Sequence, residues 1–153
     1  MKNTFFVLLF SVVFMKCSYE SILPKETQDL IPSDANKVVL STEIPDDSLY
    51  ILVSKLLVNN NFRIVNSDKE IGYINTDGKH LGDGIIMRLN IQIGKDGELS
   101  KLVSTADWAV DLISFGNSQS IWKQASKEDI DKSNFVYDKM VLLIQEIPHK
   151  EIH

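Results

Sequence analysis

The chain has 153 residues, 44% of them hydrophobic and 24% charged, a composition that suits one ordinary globular domain. Its formal net charge of −5 would repel phosphate backbones and anionic headgroups, which argues against nucleic-acid binding. Cys17 is the only cysteine, which excludes an internal disulfide.

Lys2 and Asn3 lead into TFFVLLFSVVFM at residues 4–15, an apolar run broken only by two hydroxyl side chains. This run is well short of the ~20 residues needed to cross a bilayer as a helix. A basic start followed by roughly 7–15 apolar residues is the pattern of a secretory signal peptide. A buried N-terminal core helix is the competing reading, and the lack of polar periodicity speaks against it. A free thiol is a liability in an oxidising compartment, so a cysteine directly after an export signal needs a reason. The segment Val13-Phe14-Met15-Lys16-Cys17 resembles the processing site of a bacterial lipoprotein precursor. In that family the cysteine receives diacylglycerol, the signal is cleaved before it, and the new N-terminus is acylated. The resemblance implies a signal peptide at 1–16, a lipid anchor on Cys17 and a place in the cell envelope, on the periplasmic or surface side.

Two positions depart from the family's pattern. Phe14 stands where Leu is usual, and Lys16 puts a long charged side chain where Gly, Ala or Ser normally precedes the cysteine. Cleavage elsewhere, giving a secreted protein, and an uncleaved anchor are the alternatives. Removal of residues 1–16 takes away Lys2 and Lys16 and carries the formal charge from −5 to −7. Membrane attachment would then come from acyl chains rather than from a basic patch.

Residues 17–36 carry two prolines and no sustained periodicity, and read as a tether extended around Pro24 and Pro32. The domain is expected over 37–148. KVVLSTEI at 37–44 is β-branched and stopped by Pro45, which predicts a strand. Leu49, Leu52, Val53, Leu56 and Leu57 then fall on one helical stripe, opened by Asp46-Asp47-Ser48 and ended by Asn59-Asn60-Asn61. FRIVNS and EIGYINT read as strands joined at Asp68-Lys69. In IIMRLNIQI, residues Ile85, Met87, Leu89, Ile91 and Ile93 alternate with Ile86, Arg88, Asn90 and Gln92, giving one apolar and one mainly polar face. GKDG at 94–97 turns the chain into ELSKLVSTADW as a hairpin partner. Residues 109–125 fit either more sheet or a covering loop. Ser126-Lys127-Glu128-Asp129 matches a capping box, and Ile130, Tyr137, Met140, Val141, Ile144 and Ile147 form a second stripe that Pro148 stops. Residues 149–153 remain as a C-terminal tail.

Both stripes need a cover and the sheet offers one apolar face. The expected fold is therefore α+β: two layers, an antiparallel sheet of about four to five strands with two helices packed on one face. This element order resembles that of small BamC-like envelope lipoprotein domains over roughly residues 37–148. The resemblance brings no functional residues with it.

Chemistry-bearing motifs fall short of their patterns. TDGKHLGDG at 76–84 gathers Asp77, His80 and Asp83 as candidate metal ligands, yet Lys79 and Leu81 occupy positions where a calcium loop needs oxygen donors. A Gly- and Asp-rich connection between strands is the simpler reading. HKEIH at 149–153 spaces two histidines four apart but lacks Glu directly after the first, as a zinc protease requires. GNSQS around Ser118 misses the nucleophile elbow because Ser120 replaces the second glycine. Trp108 and Trp122 are candidate ligand-binding aromatics, weighed, like Tyr50, Tyr73 and Tyr137, against plain core roles. The reading that follows is a non-catalytic binding or assembly module without a cofactor, whose partner is an envelope protein met through an open sheet face or edge strand. A small-ligand carrier with a pocket between sheet and helices is the second reading, and a metal-dependent enzyme the third.

Overall fold

A computed structural model describes residues 20–110, 121–128 and 132–153. Cys17, the signal segment, Ser118, Asp129 and Ile130 lie outside the described residues. In chain order the elements are α1 (Lys25–Leu30), β1 (Val38–Thr42), α2 (Asp46–Asn59), β2 (Ile64–Asp68), β3 (Tyr73–Thr76), β4 (Lys79–Gly82), β5 (Ile85–Asp96), β6 (Leu99–Val110), β7 (Lys123–Gln124), α3 (Lys132–Ile144) and β8 (Glu151–Ile152). The protein is α+β with an antiparallel sheet, as expected. Among the described residues, however, the sheet has eight strands rather than four to five, in the order β2-β3-β5-β6-β1-β8, with β4 also pairing β5 and β7 also pairing β6.

The extra strands share a physical cause. The β5–β6 hairpin is so long, with twelve residues in each arm, that it offers more backbone than β3 and β1 can pair. β4 takes the free end of β5, opposite Met87, Ile86 and Ile85, and β7 takes the end of β6 at Asp107 and Trp108. The stretch expected to be a loop around His80 is thus a hairpin arm. Its turn residues Asp83 and Gly84 both have positive φ, 49° and 67°, the backbone of a tight two-residue hairpin. The turn expected at 94–97 falls at Gly97-Glu98: residues 94–96 extend β5, and Gly97 (φ 65°) is first in the two-residue connection to β6.

Alternation along β5 sends Ile85, Met87, Leu89, Ile91 and Ile93 into the core, where Leu102 and Ala106 of β6 and Val38 and Leu40 of β1 join them. The α2 stripe contributes Leu49, Val53 and Leu57, and α3 contributes Val136, Tyr137, Met140, Val141 and Ile144 to the same cluster. Pro45 rather than an acidic side chain caps α2. Its other end is closed by Asn61 in the left-handed region (φ 59°), with the Asn61 N–H bonded to Val58 and the Phe62 N–H to Leu57. The capping box expected at Ser126 needs Asp129, which is outside the described residues; the Ser126 N–H donates to Ser133 Oγ at 2.9 Å.

Two terminal segments differ from expectation. Residues 20–36, read as a tether, pack on the domain: Leu23 and Ile31 enter the core and α1 lies between them. The tail at 149–153 pairs with β1 through β8, with Ile152 opposite Leu40 and reciprocal bonds between Val39 and His153. Among the described residues no helix is long and apolar enough to cross a membrane.

Candidate binding face

The residues of β5 that point away from the core meet matching residues on both neighbours. Register places Arg88 opposite Asp107, Asn90 opposite Thr105 and Gln92 opposite Val103 on β6. On the other side, Asn75 lies opposite Asn90 and Tyr73 opposite Gln92. Every one of these side chains keeps some contact with solvent. This is the sheet surface opposite the one that α2 and α3 share with the core.

A continuous polar row crosses it. Asn75 Nδ2 donates to the Tyr73 hydroxyl at 3.1 Å and to Asn90 Oδ1. Asn90 Nδ2 donates to Asp107 Oδ2 at 3.3 Å, and Arg88 Nε donates to the same oxygen at 3.0 Å. The Arg88 guanidinium then lies over the Trp122 ring, 4.3 Å from its centroid. Gly78 makes room for that stack. A Cβ there would sit 2.6 Å from Ile86 Cγ2 and 3.1 Å from Trp122 Cη2. The Arg88–Asp107 pair is part-exposed, so its worth lies in fixing geometry more than in stability. Beside the row, Tyr73, Asn90, Gln92, Val103 and Thr105 line a shallow depression of about 150 Å³.

The two tryptophans are on opposite sides of the sheet. Trp108 stands opposite Met87, on the core-facing surface, and packs against the core. Trp122 alone reaches the polar row. Tyr73 belongs to the row, Tyr50 packs against the core, and Tyr137 is buried with its hydroxyl donating to the Lys37 carbonyl at 3.0 Å. Burial, with Asp138 beside it, pushes the Tyr137 hydroxyl well above its ordinary pKa.

Asp77, His80 and Asp83 have separate surroundings. Asp77 pairs with Arg63 at 2.7 Å, His80 is exposed on β4, and Asp83 occupies the β4–β5 turn. Among the described residues no three His, Cys, Asp or Glu side chains gather in a way that could hold a metal. His149 Nδ1 lies 2.6 Å from the Ile147 carbonyl and His153 pairs with Val39 through its backbone, so the two histidines share no helical face.

Larger grooves lie elsewhere, two of them beside the helices. One of about 680 Å³ runs beside the start of α2 and the β5–β6 turn, lined by carboxylates such as Glu43, Asp47, Glu70 and Glu98 with Lys69 and Lys95 among them. The other, about 360 Å³, opens between β4 and α3 over Met87, Leu142 and Leu143, with Lys79, Lys139 and Glu146 at its rim.

The polar alternation of β5 marked Arg88, Asn90 and Gln92, and Tyr73 was among the aromatics weighed, but Asn75 and Asp107 carried no signal without the strand register. No protein-family model matches the chain, and no curated protein matches it.

Proposed function

We propose that this chain is an exported cell-envelope protein, anchored through acyl chains on Cys17, that acts as a non-catalytic binding or assembly module. Its open sheet face receives a protein partner. The observation that carries this reading is the polar row from Tyr73 to Arg88, ending on Trp122, on the surface the helices leave free. Solvated sheet faces usually carry side chains that move independently. Here they hold one another in place, which lowers the entropy lost when a partner docks. Tyr, Trp and Arg are also the side chains that anchor interfaces most often.

A photoreactive residue at Gln92, on this face, tests the reading against the same residue at Ile51, on the exposed side of α2. One dominant adduct from position 92 and none from position 51, in cells, is the expected result. Identical adducts from both positions, or none from either, would count against a binding face here.

A second reading, the small-ligand carrier, draws support from the groove over Met87, whose apolar floor and two lysines suit a small anionic amphiphile. Titration with decanoate, followed by the Met87 methyl resonance, should shift that signal if the groove is a site; an unmoved signal removes this reading.

A further inference from the structure

Asp138 lies in the middle of α3 and is fully buried. A carboxyl group there is costly unless hydrogen bonds replace the lost water. Its partners come from the other end of the chain: Ser21 Oγ donates to Oδ2 at 2.8 Å and the Ile22 N–H donates to the same atom at 2.9 Å. The following residues stay bound to the domain. Leu23 enters the core, Gln145 Nε2 of the chain just past α3 donates to Thr27 Oγ1 at 3.1 Å, and Lys127 Nζ donates to the carbonyls of Gln28 and Ile31. The chain is thus held to the helical side of the sheet from Ser21 onward.

We propose that this clamp sets the orientation of the anchored protein, holding the helical side against the lipid surface and turning the open sheet face away from it. The inference rests on the Cys17 anchor proposed above. Cys17 and Ser21 are four positions apart, so a fully extended link between them spans at most about 14 Å. A domain of this size is about 35 Å across. A link shorter than half that diameter does not let the domain turn over. Ile22 and Leu30, exposed by 41% and 62%, lie on the clamped segment that follows the anchor most closely. With acyl chains supplying the attachment, these two side chains have only to rest on the apolar boundary of the headgroups.

The test uses the processed full-length protein in phosphatidylcholine vesicles with an acceptor dye on the lipid headgroups. A donor dye is placed through Glu26→Cys on α1 or through Gln92→Cys on the open face; both positions are exposed. The expected result is energy transfer from position 26 at least about twofold stronger than from position 92, given a domain of this width. Insertion of about twelve Gly and Ser residues after Tyr19 lengthens the link without touching the fold and should abolish the difference. A difference that survives the insertion overturns the short link as its cause. Equal transfer from both positions in the acylated chain overturns the orientation and leaves the anchor standing. Absence of acyl mass on Cys17 overturns both.

Discussion

Gly72 and Ile93 approach so closely that a Cβ on Gly72 would lie 2.0 Å from the Ile93 carbonyl oxygen, while the Ile93 N–H donates to the Gly72 carbonyl at 2.8 Å. Gly72 also has a φ of 69°, a conformation that costs an L side chain about 1–2 kcal/mol. Both effects point one way. Gly72→Ala should lower stability by about 2–4 kcal/mol, strain and overpacking together, and chemical denaturation measures it. An unchanged midpoint would mean that β3 does not meet β5 in this register.

Asp138 gives a pH dependence with a definite sign. Burial, the largest influence, raises its pKa above the ordinary carboxylate value, and the bonds from Ser21 and Ile22 and the charge of Lys127 offset this only in part. The folded state therefore holds the proton more tightly than the unfolded chain. This contribution to stability is fully present below about pH 4 and is lost as pH rises through the raised folded value. Relative to Asp138→Asn, which keeps an oxygen for Ser21 and does not titrate, the native protein should be most stable at the acid end. A difference in denaturation midpoint that stays flat with pH would contradict this. Asp138→Ala, which leaves the Ser21 and Ile22 donors unpaired, should cost about 1–3 kcal/mol.

The stack of Arg88 on Trp122 can be read optically. In a Trp108→Phe background Trp122 is the only indole, and Arg88→Leu should move its emission to longer wavelength as the ring loses its cover. The cost in stability should be small, about 0.5–1.5 kcal/mol for one part-exposed ion pair and one cation–π contact. The same variant should lose the crosslinked partner while remaining folded. Unchanged emission would place Trp122 away from Arg88.

Deletion of residues 149–153 removes β8 and with it the bonds that join Val39 to His153 and the Lys150 N–H to Ser41. Three backbone bonds at about 1 kcal/mol each set the expected loss at about 3 kcal/mol. The bared β1 edge should also pair with other copies, so light scattering should show aggregation that the full chain lacks. A truncated chain as stable and monodisperse as the original would make β8 incidental.

Legibility followed the range of the interactions. β5 could be read because burial of one face writes a period of two into Ile85, Met87, Leu89, Ile91 and Ile93, and α2 because Leu49, Val53 and Leu57 must share a stripe. β4 and β8 left no such trace. His80 and Glu151 are exposed, and their strands exist because β5 and β1 offer unpaired backbone, a fact of tertiary structure. Packing of residues 20–36 was hidden for a related reason: the partner of Ser21 is Asp138, 117 positions away in the chain. The polar row was half visible. Arg88 and Asn90 stood out on β5, but Asp107 and Asn75 joined them only when the registers of β6 and β3 were known.

The anchor carries the largest share of the functional account, and intact mass spectrometry of the protein from the membrane fraction, beside a Cys17→Ala control, tests it most directly. The expected result is a chain that starts at Cys17 and carries acyl mass, with the control left unacylated and absent from the membrane. A native chain without acyl mass, whether cleaved at another position or still carrying residues 1–16, would contradict it.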